Sequence, residues 1–126
     1  MSGTMMHALI VDDDEFVREV ARLSLEFIGG WAVSVAENGE EAIEQARALS
    51  PDVILLDVMM PGIDGVATLR GLSEDPRMSH IPVIFLTAKT QTDESHFEQS
   101  GARGYISKPF DPLSLAHDVE VILSER

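Results

Sequence analysis

The chain contains no cysteine. That excludes a disulfide framework, a thiolate nucleophile and any Cys-based zinc site. Positive charge is scarce, with 9 Lys and Arg against 22 Asp and Glu and a formal charge of −13. A surface this acidic repels nucleic-acid phosphates, so direct binding of DNA or RNA is not expected. It suits a soluble protein that meets cations or basic partner surfaces. No apolar run approaches the ~18 residues that suggest a membrane span. The start, "MSGTMMHALIV", lacks the basic residues and long apolar stretch of a signal peptide. A cytoplasmic location without membrane contact is the expectation. The histidines His7, His80, His96 and His117 are scattered, and no pair has zinc-site spacing on one element.

What is present is enough for one domain: 126 residues, 44% of them hydrophobic. Short apolar runs alternate with helix-period segments. The runs are "HALIV" (His7–Val11), "WAVSVA" (Trp31–Ala36), "DVILLD" (Asp52–Asp57), "PVIFLT" (Pro82–Thr87) and "GYIS" (Gly104–Ser107). Near-continuous Val, Ile and Leu is the mark of parallel strands covered on both faces. The first helix is expected over Asp14–Ile28, capped by Asp14, with Val17, Val20, Leu23, Phe27 and Ile28 on its apolar face and Gly29-Gly30 beyond. The second spans Gly39–Leu49 and buries Ala42, Ile43, Ala46 and Leu49. The third starts near Asp64-Gly65 and carries Val66, Leu69 and Leu72. The fourth, Gln91–Ser100, is polar apart from Phe97. The last has Asp111 as N-cap, Pro112 at the first helical position, then Leu113, Ala116, Val119, Ile122 and Leu123. Five β-α units in a row imply a doubly wound α/β fold, a parallel sheet with helices on both faces. Residues 1–6 read as a loose tail before a domain over 7–126. The chain stops as the last helix ends, so no second domain is expected.

Sites in open α/β sheets lie at the carboxyl ends of the strands. Asp12 and Asp13 follow strand one, Asp57 ends strand three, Thr87 ends strand four, and Lys108-Pro109 follows strand five. If strands one and three are neighbours, three carboxylates converge and repel one another unless a cation sits among them. Mg²⁺ is the natural candidate, being hard and oxygen-seeking; Mn²⁺ could substitute. Lys108 adds a fixed positive charge and Thr87 a hydroxyl. A carboxylate beside a divalent ion, a lysine and a hydroxyl is a site for a phosphoryl group, which the carboxylate can accept as an acyl phosphate. Asp14 reads as a helix cap rather than a ligand. "DDDE" lacks the spacing of an EF-hand loop, and the thioethers of Met59 and Met60 are too soft for Mg²⁺.

Together, "VDDDEFVR", "ILLDVMMPGIDG", "PVIFLTA" and "GYISKPF" resemble the receiver domain of bacterial two-component response regulators, over about Met6 to Leu123. The resemblance implies a five-stranded flavodoxin-like sheet of order 2-1-3-4-5 with five helices; the order is that of a well-known chemotaxis member. It implies that Asp57 is the phosphoacceptor, charged by a sensor histidine kinase or a histidine phosphotransfer protein. Asp13 would ligate the metal directly, Asp12 would act mainly through metal-bound water, and the Met59 carbonyl would be the third protein ligand. Thr87 would be the switch hydroxyl, Tyr105 the aromatic that follows it, and Lys108 the lysine that pairs with phosphate. The Lys108–Pro109 bond would be cis. Ala88 occupies the alanine position usual after the switch hydroxyl, and Met59 and Lys89 lie where the family tunes dephosphorylation. A downstream protein target and a monomer or weak dimer are implied, without a turnover substrate.

Two other functions share parts of this pattern. A haloacid-dehalogenase-type phosphatase uses the same nucleophile but usually needs a second aspartate two residues later, where this chain has Met59. A flavodoxin-like cofactor binder needs a phosphate-cradling first loop, and an Asp-Asp-Asp-Glu loop repels phosphate.

Overall fold

The computed structural model describes residues 5–88 and 101–125. Five strands form one sheet: β1 (His7–Val11), β2 (Ala32–Ala36), β3 (Val53–Asp57), β4 (Val83–Ala88) and β5 (Gly104–Lys108). All are parallel, and their order is β2-β1-β3-β4-β5. The described helices are α1 (Glu15–Phe27), α2 (Gly39–Leu49), α3 (Gly65–Ser73) and α4 (Leu115–Ser124). The helix expected over Gln91–Ser100 lies outside the described residues, as does Lys89.

Alternation along the strands sorts the core into two layers. Leu9, Val11, Ile54, Leu56, Val83 and Phe85 pack on one face with Ala42, Ala46, Leu69 and Leu72 of α2 and α3. Ala8, Ile10, Val53, Leu55, Ile84, Leu86 and Ile106 pack on the other with Ala21 and Leu25 of α1 and Leu115, Ala116 and Val119 of α4. β1, β3 and β4 are buried through both faces, which explains their unbroken apolar runs. At the start of the sheet, the Met6 carbonyl accepts the Ala32 N–H at 2.9 Å.

Side-chain caps start three helices. Asp14 accepts from the N–H groups of Phe16 and Val17, Asn38 from Glu41, and Asp64 from Ala67. The last helix begins later than its sequence suggests. The Asp111 carboxylate accepts the Leu113 N–H, and its carbonyl accepts the Ser114 N–H, which closes a turn over Pro112–Ser114. Asp111 therefore caps that turn, α4 starts at Leu115, and Leu113 points to solvent.

The buried face of α1 also differs from expectation. Ala21, Ser24 and Leu25 face the sheet, whereas Leu23, Phe27 and Ile28 are exposed. Two apolar stripes coexist on this helix, and the larger residues lie on the outer one. Leu49 is exposed as well, because α2 ends there with Ser50 in the left-handed conformation at φ 47°.

Candidate functional site

The parity of the strands brings the acidic groups together. Asp57 follows Val53 and Leu55, and Lys108 follows Ile106, in the period-two series that packs on the α1/α4 face. Asp12 continues the series of Ala8 and Ile10. β1 and β3 are direct neighbours, so Asp12, Asp13 and Asp57 meet at their carboxyl ends. Each offers an oxygen within 4.8 Å of the others. Asp12 is 0% exposed and Asp57 3%, while Asp13 opens to solvent.

Lys108 closes the cluster from β5. Its Nζ lies 3.1 Å from Asp12 Oδ2 and 3.2 Å from Asp57 Oδ1. The Lys108–Pro109 peptide that follows is cis. The other Asp12 oxygen accepts the Asp14 N–H at 2.9 Å, and Asp57 Oδ1 also accepts the Met59 N–H at 3.2 Å. Burial first, then the charge of Asp12, pushes the Asp57 carboxyl from 3.8 up to about 6. The charge and hydrogen bond of Lys108 and the Met59 N–H pull it back only in part. Burial lowers the Lys108 ammonium, but its hydrogen bond and charge contact with Asp12, followed by those with Asp57, outweigh this and leave it raised. One ammonium thus compensates two carboxylates incompletely. The remaining negative charge, presented on hard oxygen donors, fits a divalent cation.

Gly65 shapes the loop that follows Asp57. Its N–H bonds the Val58 carbonyl at 2.9 Å. A Cβ at this position would lie 2.5 Å from the Asp57 carbonyl oxygen and 2.7 Å from Val58 Cα. The glycine lets α3 begin directly against the end of β3.

Thr87 and Tyr105 occupy the opposite face. They share the parity of Phe85, and Tyr105 packs half-buried against the α2/α3 layer. The Thr87 hydroxyl donates to the Ala88 carbonyl at 2.9 Å rather than to Asp57. Thr87 lies one register step beyond the Asp57–Leu86 pair. The Met59 side chain is exposed. So Asp12, Asp13, Asp57 and Lys108 are in one cluster, and Thr87 and Tyr105 lie on the other face of the sheet.

One contact at the site was not anticipated from the sequence. Arg18, on α1, donates from Nη1 to the main-chain carbonyl of Asp12 at 2.8 Å. The available signal was a cation one turn beyond the Asp14 cap, on the helix that leaves the acidic loop.

Comparison with known proteins agrees with this geometry. Residues 8–120 match the family model described as "Response regulator receiver domain". The chain is 39% identical to protein PilH of Pseudomonas aeruginosa, covering 95% of this chain and 99% of that one. It is also 39% identical to the transcriptional regulatory protein CseB of Streptomyces coelicolor, over 93% of this chain. It spans about half the length of CseB, 49%. Among solved structures, a putative response regulator from Chloroflexus aurantiacus superposes with a TM-score of 0.88 at 35% identity, over 97% of this chain and 100% of that one. With a parallel 2-1-3-4-5 sheet and the acidic cluster at its carboxyl edge, the chain belongs to the receiver-domain family of response regulators.

Proposed function

We propose that residues 7–126 act as a phosphoacceptor switch in a two-component signalling system, with Asp57 as the acceptor. The observation that carries this reading is the contact of Lys108 with both Asp12 and Asp57, within a group of three carboxylates. An Asp57 oxygen attacks phosphorus in line, the P–O bond forms, and the bond from phosphorus to the donor imidazole nitrogen breaks. The released imidazole takes a proton. Asp12, Asp13, Asp57 and the Met59 carbonyl would hold Mg²⁺, or Mn²⁺ in its place. Bound there, the ion would neutralise charge on the phosphoryl oxygens. Lys108 leaves its carboxylate partners to pair with the same group. Thr87 turns its hydroxyl from the Ala88 carbonyl toward the phosphoryl, and Tyr105 follows, altering the surface around β5 and its flanking helices. The result is a change of partner preference, not turnover of a substrate.

The donor is a sensor histidine kinase or a histidine phosphotransfer protein. Surface beside the site supports a protein donor. Exposed Phe16, with Val17, Val20, Pro109, Phe110 and Pro112, lines an apolar groove of about 280 Å³ that Lys108 also borders. Incubation with acetyl phosphate and Mg²⁺, followed by intact-mass measurement, tests the acceptor. Wild type should gain one phosphoryl group, and both Asp57→Asn and an EDTA control should gain none. An unlabelled wild type, under conditions that label another receiver, would count against the reading.

A further inference from the structure

The main chain at Asp12 is held from every side. Its N–H donates to the Ala36 carbonyl at 3.2 Å, carrying the β1–β2 ladder one step past the strand. Its Oδ1 accepts the Asp14 N–H and its Oδ2 meets Lys108. Its carbonyl is a backbone acceptor that needs a partner of its own. Here it accepts from the half-buried Arg18 guanidinium at 2.8 Å. Asp13, one residue on, is exposed, and its carboxylate has no hydrogen bond among the described residues. No side-chain contact among the described residues holds that carboxylate, so the protein controls it through the Asp13 Cα, whose place is set by the peptide joining Asp12 to Asp13.

We propose that Arg18 is a positioning residue for the metal seat. By fixing the Asp12 carbonyl it fixes the Asp12–Asp13 peptide, and so holds the Asp13 Cα where its carboxylate can reach Asp12 and Asp57. The geometry gives Arg18 this hold from a rigid platform. It lies on the second turn of α1, whose start is pinned by the Asp14 cap and whose Ala21 and Leu25 anchor it to the sheet. Residues that orient metal ligands without touching the ion influence affinity in this way. A guanidinium suits the task because its charge strengthens the bond to a neutral carbonyl. The inference rests on the metal-dependent reading of the site.

The test uses the full chain with Arg18→Met and Arg18→Lys. Mg²⁺ affinity is measured by calorimetry, the metal-free melting temperature is measured separately, and acetyl phosphate labelling is followed against Mg²⁺ concentration. Arg18→Met should weaken Mg²⁺ binding about tenfold. Its labelling rate should recover toward wild type at saturating Mg²⁺, and Arg18→Lys should lie between the two. A folded Arg18→Met protein with wild-type Mg²⁺ affinity would overturn the proposal, even with a lowered melting temperature, because the bond would then be structural only. If Arg18→Met does not fold, Arg18→Lys decides: wild-type affinity overturns the proposal, and weakened affinity supports it. A wild-type protein that binds no Mg²⁺ removes the underlying reading and the role of Arg18 with it.

Discussion

Asp57 meets two opposing demands. The proposed function requires it to be ionised, yet it is buried against a second carboxylate. Its folded pKa of about 6 lies above the ordinary 3.8. Between those values the folded protein holds more protons than the unfolded chain, so stability falls as pH rises through the window. Without divalent metal, urea midpoints should therefore drop between about pH 4 and pH 6, as far as Asp57 contributes, by an amount equivalent to about 2 kcal/mol. Asp57→Asn removes the charge, so it should be the more stable protein at pH 7.5 and lose most of that advantage near pH 4. A stability difference between variant and wild type that is the same at both pH values would show that Asp57 ionises without cost. At this scale the sequence is informative. Asp12, Asp13, Asp57 and Lys108 each sit at or just beyond the end of an apolar run, where an open sheet gathers its site. Arg18 was not legible, because its partner is a main-chain carbonyl that any residue type would supply.

The elements show where periodicity misleads. Helix α1 carries Phe16, Val20, Leu23 and Phe27 at spacings of four, three and four, beside a second stripe of Ala21 and Leu25. Spacing alone cannot rank the two, and residue size favours the wrong one. The sheet surface decides, because β1 and β3 already fill that layer with Ile10 and Leu55, and small Ala21 and Ser24 allow close approach. The energetic consequence is sharp. Leu25 is 0% exposed and Phe27 80%. Leu25→Ala should cost about 2–5 kcal/mol, whereas Phe27→Ser should stay within about 0.5 kcal/mol of wild type. Chemical denaturation of both variants measures this directly, and equal losses would restore the face that the sequence suggested. The late start of α4 has a similar cause. Asp111 and Pro112 carry a convincing start signal, but the carboxylate and carbonyl of Asp111 are both spent on a turn. Local chemistry marks where the chain bends without saying whether a helix or a turn follows.

For the whole molecule, alternating apolar runs and helical segments specify a parallel sheet with two covered faces. Strand order required the family resemblance, since five parallel strands admit several windings. The charge of −13 is the global property with the clearest consequence. It lowers stability through self-repulsion, which any salt relieves by screening. A local metal seat acts differently, because it lowers the free energy of the folded state only, in proportion to the logarithm of ligand concentration above its dissociation constant. The two can be separated by melting the protein in MgCl₂ and in NaCl at matched ionic strength. At Mg²⁺ concentrations about 100-fold above the dissociation constant, binding contributes about 2.7 kcal/mol, enough to raise Tm by about 5 °C or more beyond the sodium control. Asp13→Asn and Asp57→Asn should each shrink that excess while leaving the sodium response unchanged, since one charge in thirteen barely alters the global field. Equal shifts in the two salts would mean that the acidic cluster is screened like the rest of the surface and binds no ion of its own.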